Sequence, residues 1–392
     1  MSNPHVFFSH SAMVGAPVLS GTAGSLIAVL NACLRDGFGM KTVNACAVSG
    51  GIATLDITAN GFAEEVVIVL SGSSTPGVNG LRRVLTSTAT QVTVAMPGVA
   101  DGVAAGVITA KVAGAGWETP FEATNLTVYR SADIEGVRHC LRVFDNETLN
   151  ARVMAYESMT GVNAGQKPYP SNVQVTGGGY WPKADVAGGG ARAWTLIADR
   201  KGFWLHIQTK AGGLGESGAV WGFGEFASLR QAEAYKSHLF CAPSAIQTAT
   251  AVATCQVEYV SSGAAGTDAY VSRSHTGVGS AMALVHSAES LITGSGAAGG
   301  VVSAFVPTYP NPANNGLIFS RKVLVEPMSS FRGYLRGLLV PVQFCHTSFA
   351  TGDIVDGQGD LLDRRLLAVK CGSPAATVSQ GVLFFDITGP WG

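Results

Sequence analysis

The run Ala193-Trp194-Thr195-Leu196-Ile197-Ala198, the turn Asp199-Arg200-Lys201-Gly202 and the run Phe203-Trp204-Leu205-His206-Ile207-Gln208-Thr209 decide how this chain folds. Tyr180-Trp181-Pro182 precedes them, and Val220-Trp221-Gly222-Phe223-Gly224-Glu225-Phe226 follows after Gly/Ser-rich linkers. Apolar, aromatic runs parted by a Gly-containing turn predict an antiparallel hairpin with a returning third strand. Four of the six Trp fall within residues 180–226. An aromatic side chain buries roughly 150–250 Å², which at about 25 cal/mol per Å² is on the order of 4 kcal/mol each. This meander is therefore expected to be the core sheet.

Working outward, 392 residues suffice for two or three domains and at least one large core. Only 13% of the residues are charged, against about 25% in a typical soluble chain. The 50 glycines, with many Ala, Ser and Thr, must cover the surface instead, and small residues suit close packing of backbone on backbone. Weak charge favours association over dispersal, so much of the surface is expected to be buried in an assembly. The plainer alternative is a Gly-rich, turn-rich β protein that is merely weakly charged. A formal net charge of -1 offers no clustered cations for phosphates, which sets nucleic acid aside as a partner.

The seven cysteines are scattered and contain no Cys-x-x-Cys pair, so they read as reduced, buried small hydrophobes. The first Lys or Arg is Arg35, so the N-terminus lacks the basic start of a secretory signal. No apolar run approaches the roughly 20 residues that span a bilayer. The expectation is a soluble chain without membrane insertion or an export signal of its own.

Residues 1–39 are read as an N-terminal segment of the main domain carrying a helix. Ser20-Gly21-Thr22 offers capping oxygens, Leu26, Ile27, Leu30, Cys33 and Leu34 recur at helical spacing, and Gly37 supplies a stop. Residues 40–115 are read as an inserted small β module, with runs at 41–48, 52–57, 65–70, 81–85, 91–95 and 107–112. Gly50-Gly51, Pro76-Gly77, Asn79-Gly80, Pro97-Gly98 and Asp101-Gly102 punctuate these runs. Residues 116–392 form the main β-rich domain, with strands expected at 126–130, 137–144, 151–156, 317–326, 334–344, 366–370 and 382–387. Residues 226–238 are read as a second helix, and Gly177 to Gly179 and Gly188 to Gly190 as loops. Residues 242–300 specify strands only weakly. The fold class is mainly β, with antiparallel sandwich- or barrel-like sheets, a few short helices and the inserted module.

Several motifs invite chemistry. Gly294-Ser295-Gly296-Ala297-Ala298-Gly299 spells a dinucleotide fingerprint, but Gly300-Val301-Val302 follows it where a helix is required. Gly222-Phe223-Gly224 lacks a surrounding βαβ unit and reads as close packing beside aromatics. His139-Cys140 and Cys345-His346 resemble ligand pairs, yet neighbours on a strand point to opposite faces and cannot share an ion. His206 is expected in or near the core, with a general base as the alternative; no nucleophile motif accompanies it, since Gly215-Glu216-Ser217-Gly218-Ala219 fails Gly-x-Ser-x-Gly. Asp353, Asp356, Asp360 and Asp363 form the densest carboxylate group; their spacing is not that of an EF-hand, so a solvated turn is favoured over calcium. No catalytic, cofactor-binding or metal-ligating residue is assigned, and no enzyme activity is expected.

Other segments carry a resemblance. Residues 15–24 (Gly-Ala-Pro-Val-Leu-Ser-Gly-Thr-Ala-Gly) and Gly37-Phe38-Gly39 open in the manner of a family of virion structural proteins from tailed bacteriophages of Gram-negative bacteria. Gly116-Trp117-Glu118, Tyr129-Arg130-Ser131-Ala132-Asp133, Tyr156-Glu157-Ser158-Met159 and Gly179-Tyr180-Trp181-Pro182-Lys183 resemble it too, as does the ending Phe385-Asp386-Ile387-Thr388-Gly389-Pro390-Trp391. The resemblance touches nearly the whole chain, weakest over 242–300, and its motifs are structural punctuation. It implies a protein assembled into a virion in the host cytoplasm, partnered by copies of itself and other virion proteins. A multi-copy tail component (tail tip, baseplate or tail wall) is the favoured placement, with a capsid decoration protein next. Gly-rich loops and aromatics such as Tyr169 and Tyr180 motivate a second class, an adhesin for host receptor or surface glycan; the many carboxylates motivate a third, a polysaccharide-degrading enzyme.

Overall fold

In a computed structural model of the chain, which describes residues 6–211, 218–245, 269–289, 309–327, 330–343, 345–372 and 380–392, the opening hairpin is formed as its sequence predicts. Trp194–Ala198 pairs antiparallel with Gly202–Ile207, Ala198 opposite Phe203, and Ala219–Glu225 returns along the second strand. Strands make up 51% and helix 5% of the described residues, so the protein is mainly β, with several antiparallel sheets. Trp181, Trp194, Trp204 and Trp221 are all buried.

The hairpin belongs to a thirteen-stranded sheet. From Ala219–Glu225 the pairing runs through Ser237–Phe240, Ala269–Val271, Met282–Ala288, Phe319–Glu326 and Ser330–Pro341, then to Gln380–Asp386 and Arg365–Gly372. The sheet curls until its far part meets the start, where the Gly218 N–H donates to the Lys370 carbonyl at 3.1 Å. Alternation along the hairpin then builds two cores. Phe203 packs edge-on with Phe223, Trp117 and Trp181 on one side. Trp204 packs with His238, Phe240 and Phe385 inside the curl. Its cross-strand partner must be Gly222, because a Cβ there would lie 2.4 Å from the Trp204 ring.

A six-stranded sheet covers the Phe203 side, running Trp117–Ala123, Leu126–Ser131, Cys140–Phe144, Asn150–Gly161 and Ala164–Tyr169, with Gly179–Pro182 also on Asn150–Gly161. The helix packs against it: Ser25–Leu30 buries Leu26, Ile27, Val29 and Leu30, and it widens into a π-helical turn over Asn31–Asp36 before Gly37. Its N-terminus departs from expectation. The cap position is Gly24, with no side-chain cap, and the Leu26 and Ile27 N–H groups donate to Asp145 Oδ2 at 2.8 and 3.4 Å. Lys183 bonds the other Asp145 oxygen, and both side chains are fully buried.

All strands of an eight-stranded sheet come from Phe38–Thr42, Ala45–Ser49, Ile52–Asp56, Val67–Ser73, Gly80–Ser87, Gln91–Ala95, Gly102–Val103 and Gly106–Val112. The first and last of its path join through the chain. The Val43 N–H reaches the Ile108 carbonyl and the Ala104 N–H the Cys46 carbonyl, both at 2.9 Å or less. The ladder is thereby closed into a barrel of six continuous staves, filled by branched aliphatics such as Val48, Leu55, Ile68, Val84, Val94 and Ile108. Gly50 and Gly51, both at positive φ, make the two-residue turn between Ser49 and Ile52.

Two expectations are corrected. Residues 226–238 are not helical: Ala227–Ser228 pairs with Ser330–Pro341, Ser237–Phe240 is a strand, and turns lie between. The helical spacing there is not matched by burial, for Leu229 is 59% exposed and Ala232 adopts φ 54°. Gly188 to Gly190 are not a loop but part of strand Gly188–Arg192, paired with Leu19–Gly21. The Gly294 to Gly299 motif, Cys255, Phe344 and Gly215 to Ser217 lie outside the described residues.

Candidate functional site

The ligand-like pairs are pulled apart by the fold. His139 lies against the Tyr169 ring, its Nδ1 2.9 Å from the Tyr169 hydroxyl, whereas Cys140 packs with Val128 and Met159. Cys345 is buried with Phe349, Leu366 and Phe384, while His346 is half-buried. His206 is buried inside the curl; burial lowers its pKa to about 4, and a bond to the Lys370 backbone opposes this. Among the described residues no three His, Cys, Asp or Glu side chains gather as a metal site. Asp353 accepts from the Ala350 N–H, and Asp356 pairs with Arg365. Tyr169 is fully buried, its hydroxyl 3.1 Å from that of Ser237, and so offers no surface platform. Tyr180 is half-buried beneath the Arg152 guanidinium, 3.9 Å from its ring centre.

A concavity forms where none of these motifs lies. A cleft of about 340 Å³ is lined by Lys201, Arg230, Lys236 and Arg336, with Glu225 and Glu233 among them. Its geometry begins in the hairpin turn. Asp199 accepts the Lys201 and Gly202 N–H groups at 2.8 and 2.7 Å through one oxygen, and Arg336 at 2.6 Å through the other. One buried carboxylate thus fixes the turn that carries Lys201 and anchors Arg336 beside it. Burial pushes the Asp199 carboxyl up, opposed by the Arg336 charge and by the two backbone bonds. Arg336 Nη1 is buried with no hydrogen-bond partner among the described residues, which costs roughly 1–3 kcal/mol until an acceptor meets it.

The acids of the cleft are largely engaged. Glu225 accepts the Val137 N–H at 2.7 Å and sits 3.2 Å from Lys236. Glu233 pairs with Arg332 and takes the Ser228 hydroxyl, and Arg332 also holds Glu326. Glu326 in turn lies 2.8 Å from Nδ1 of the half-exposed His275. This oriented imidazole has the form of a base–carboxylate pair, but the adjacent hydroxyls of Ser274 and Thr276 bond each other at 2.5 Å. Sequence reasoning found none of these residues. Positions 201, 230, 236 and 336 share no local motif: Asp199 sets 201 beside 336, and the irregular connection at 226–236 brings 230 and 236 to them.

Searches for similar proteins add no family: no protein-family model matches the chain, and no curated protein matches it either.

Proposed function

We propose that the chain is a structural protein of a tailed-bacteriophage particle, present in several copies as a tail-tip, baseplate or tail-wall component and acting in assembly rather than catalysis. The observation that best supports this reading is the outer wall of the small barrel. Val103, Ala47, Thr54, Thr93 and Thr86 lie opposite one another in turn across five strands. Their inward neighbours Val48, Ala53, Leu55, Val92 and Val94 are buried, so this row faces outward, and Val103 is 77% exposed. An outward sheet row without a charged residue suits burial against another protein, because no ion must be desolvated and no like charge opposes contact. The overall weak charge and the resemblance of the sequence to virion proteins point the same way.

Cryo-electron microscopy of purified virions tests the proposal. Symmetric copies in the tail, with the barrel wall against a neighbour, are the expected result. Density confined to the capsid would replace the tail placement with a decoration role, and absence of the protein from virions would overturn the proposal.

A further inference from the structure

We infer that the cleft between the hairpin turn and the 226–236 connection binds a sugar acid, a single hexuronate-like unit bearing one carboxylate and several hydroxyls. The inference stands on the cleft alone and is independent of where the chain sits in a particle.

Three properties select this chemistry. The first is charge. Lys201, Arg230, Lys236 and Arg336 line the cleft, Arg230 exposed at its rim, while the carboxylates of Glu225 and Glu233 are held by Val137, Lys236, Arg332 and Ser228. An anion entering here meets the partly exposed ammonium groups of Lys201, which lies 3.7 Å from Asp133, and Lys236, together with the exposed guanidinium of Arg230, while Arg336 is held by Asp199 and the Trp391 carbonyl. A planar carboxylate matches a guanidinium fork. The second is the pair of acids. Two carboxylates in the lining oppose a dianion such as phosphate more than a monoanion, and their spare lone pairs accept hydroxyl hydrogens. The third is shape. A volume of about 340 Å³ lies at the small end of ligand pockets and fits one sugar ring, with Phe226 and Trp391 as apolar wall and Gln231 as an amide donor and acceptor.

Saturation-transfer NMR on the full chain, with glucuronate, its methyl glycoside, glucose and inorganic phosphate as probes, tests the assignment. Glucuronate is expected to bind, glucose not, and phosphate to compete only weakly. Arg230→Gln and Lys201→Gln should each weaken glucuronate by about tenfold while leaving the thermal midpoint unchanged; Arg230 is exposed, so at least that variant will fold. Binding of the methyl glycoside would mark the ligand as a unit within a glycan and its rejection as a free sugar acid, and either upholds the site. Phosphate binding as well as glucuronate would reduce the cleft to a general anion site and overturn the inference. So would equal binding of glucose, affinities unmoved by both substitutions, or no glucuronate signal at about 10 mM.

Discussion

The small barrel and the curled sheet solve the same problem, filling a concave β interior, with different residues. Six staves are filled mainly by branched aliphatics, and the barrel stacks Val48, Leu55, Ile68, Val84, Val94 and Ile108, with the small Cys46 and Ala53, without a buried ion pair. The curl is wider and takes Trp204, His238, Phe240, His286 and Phe385, with Arg332 buried between Glu233 and Glu326 where Ser330–Pro341 begins. An aliphatic core tolerates a change of pH and fails only by losing volume. A core of imidazoles and paired ions depends on every partner being present and in one protonation state. The barrel's outward row through Ala47, Thr54, Thr86, Thr93 and Val103 is uncharged like its interior, and the ion-paired part of the curl lies beside the cleft.

Removing Arg332 should break the curl most. Arg332→Ala leaves two buried carboxylates facing each other, and loss at the upper end of roughly 3–5 kcal/mol is expected in chemical denaturation. A loss below about 1 kcal/mol would mean that the ion pairs do not hold the curl. Trp204→Ala follows, at roughly 3–5 kcal/mol for an aromatic truncated in a core. It also strands the Arg336 carbonyl, to which the indole N–H donates at 3.0 Å. An unchanged melting temperature would contradict the place of Trp204 at the centre of this core.

How much of this was legible in the sequence depends on whether the determinant is local. The hairpin from Trp194, the Gly50-Gly51 turn and the helix ahead of Gly37 are written in alternation, turn residues and apolar spacing, and they form where predicted. The helix cap is not, because Asp145 reaches it from 119 residues away. Nor is strand Gly188–Arg192, whose three glycines carry no side chain to signal a face and pair through backbone alone. Residues 226–238 carried a helical pattern that tertiary structure overrode, with Phe226 drawn under Arg332 and Leu229 left outside. The same override builds the cleft wall, which is why the candidate site could not be read from any segment.

Acid should separate the two regions. Burial lowers the His206 pKa to about 4 and, with the Arg336 charge adding to it, that of His238 to about 3. Both are neutral in the fold, so near neutral pH they make no difference between folded and unfolded chains. As pH falls through about 6.5 the unfolded chain takes up protons that the folded chain cannot, and stability declines until the folded values are reached. At about pH 5.5 each contributes a loss of about 1.4 kcal/mol. Residues 38–112 contain no histidine. Hydrogen exchange at about pH 5.5 should therefore show protection falling in Gly202–Ile207 and Ser237–Phe240 before it falls in the barrel strands; simultaneous loss would show that the two cores open as one unit.

The smallest test runs from the other side. Ile68 is fully buried in the barrel, and Ile68→Val removes one methylene from a core with nothing polar to rearrange. A cost of roughly 0.5–1.5 kcal/mol is expected, and because the loss is one of volume it should not change between about pH 7 and pH 5.5. Arg332→Ala should behave differently over the same range, since protonating either stranded carboxylate relieves the fault it creates and the penalty shrinks as pH falls. If the Ile68→Val cost also varied with pH, the barrel would be coupled to titrating groups outside its aliphatic core. The candidates are already in place: Arg83 on the barrel donates to the Val6 carbonyl at 3.2 Å, and Glu65 sits 3.4 Å from Arg365 of the curled sheet. A pH-independent cost would instead confine those contacts to holding the barrel in position, leaving its interior energetically separate from the curl.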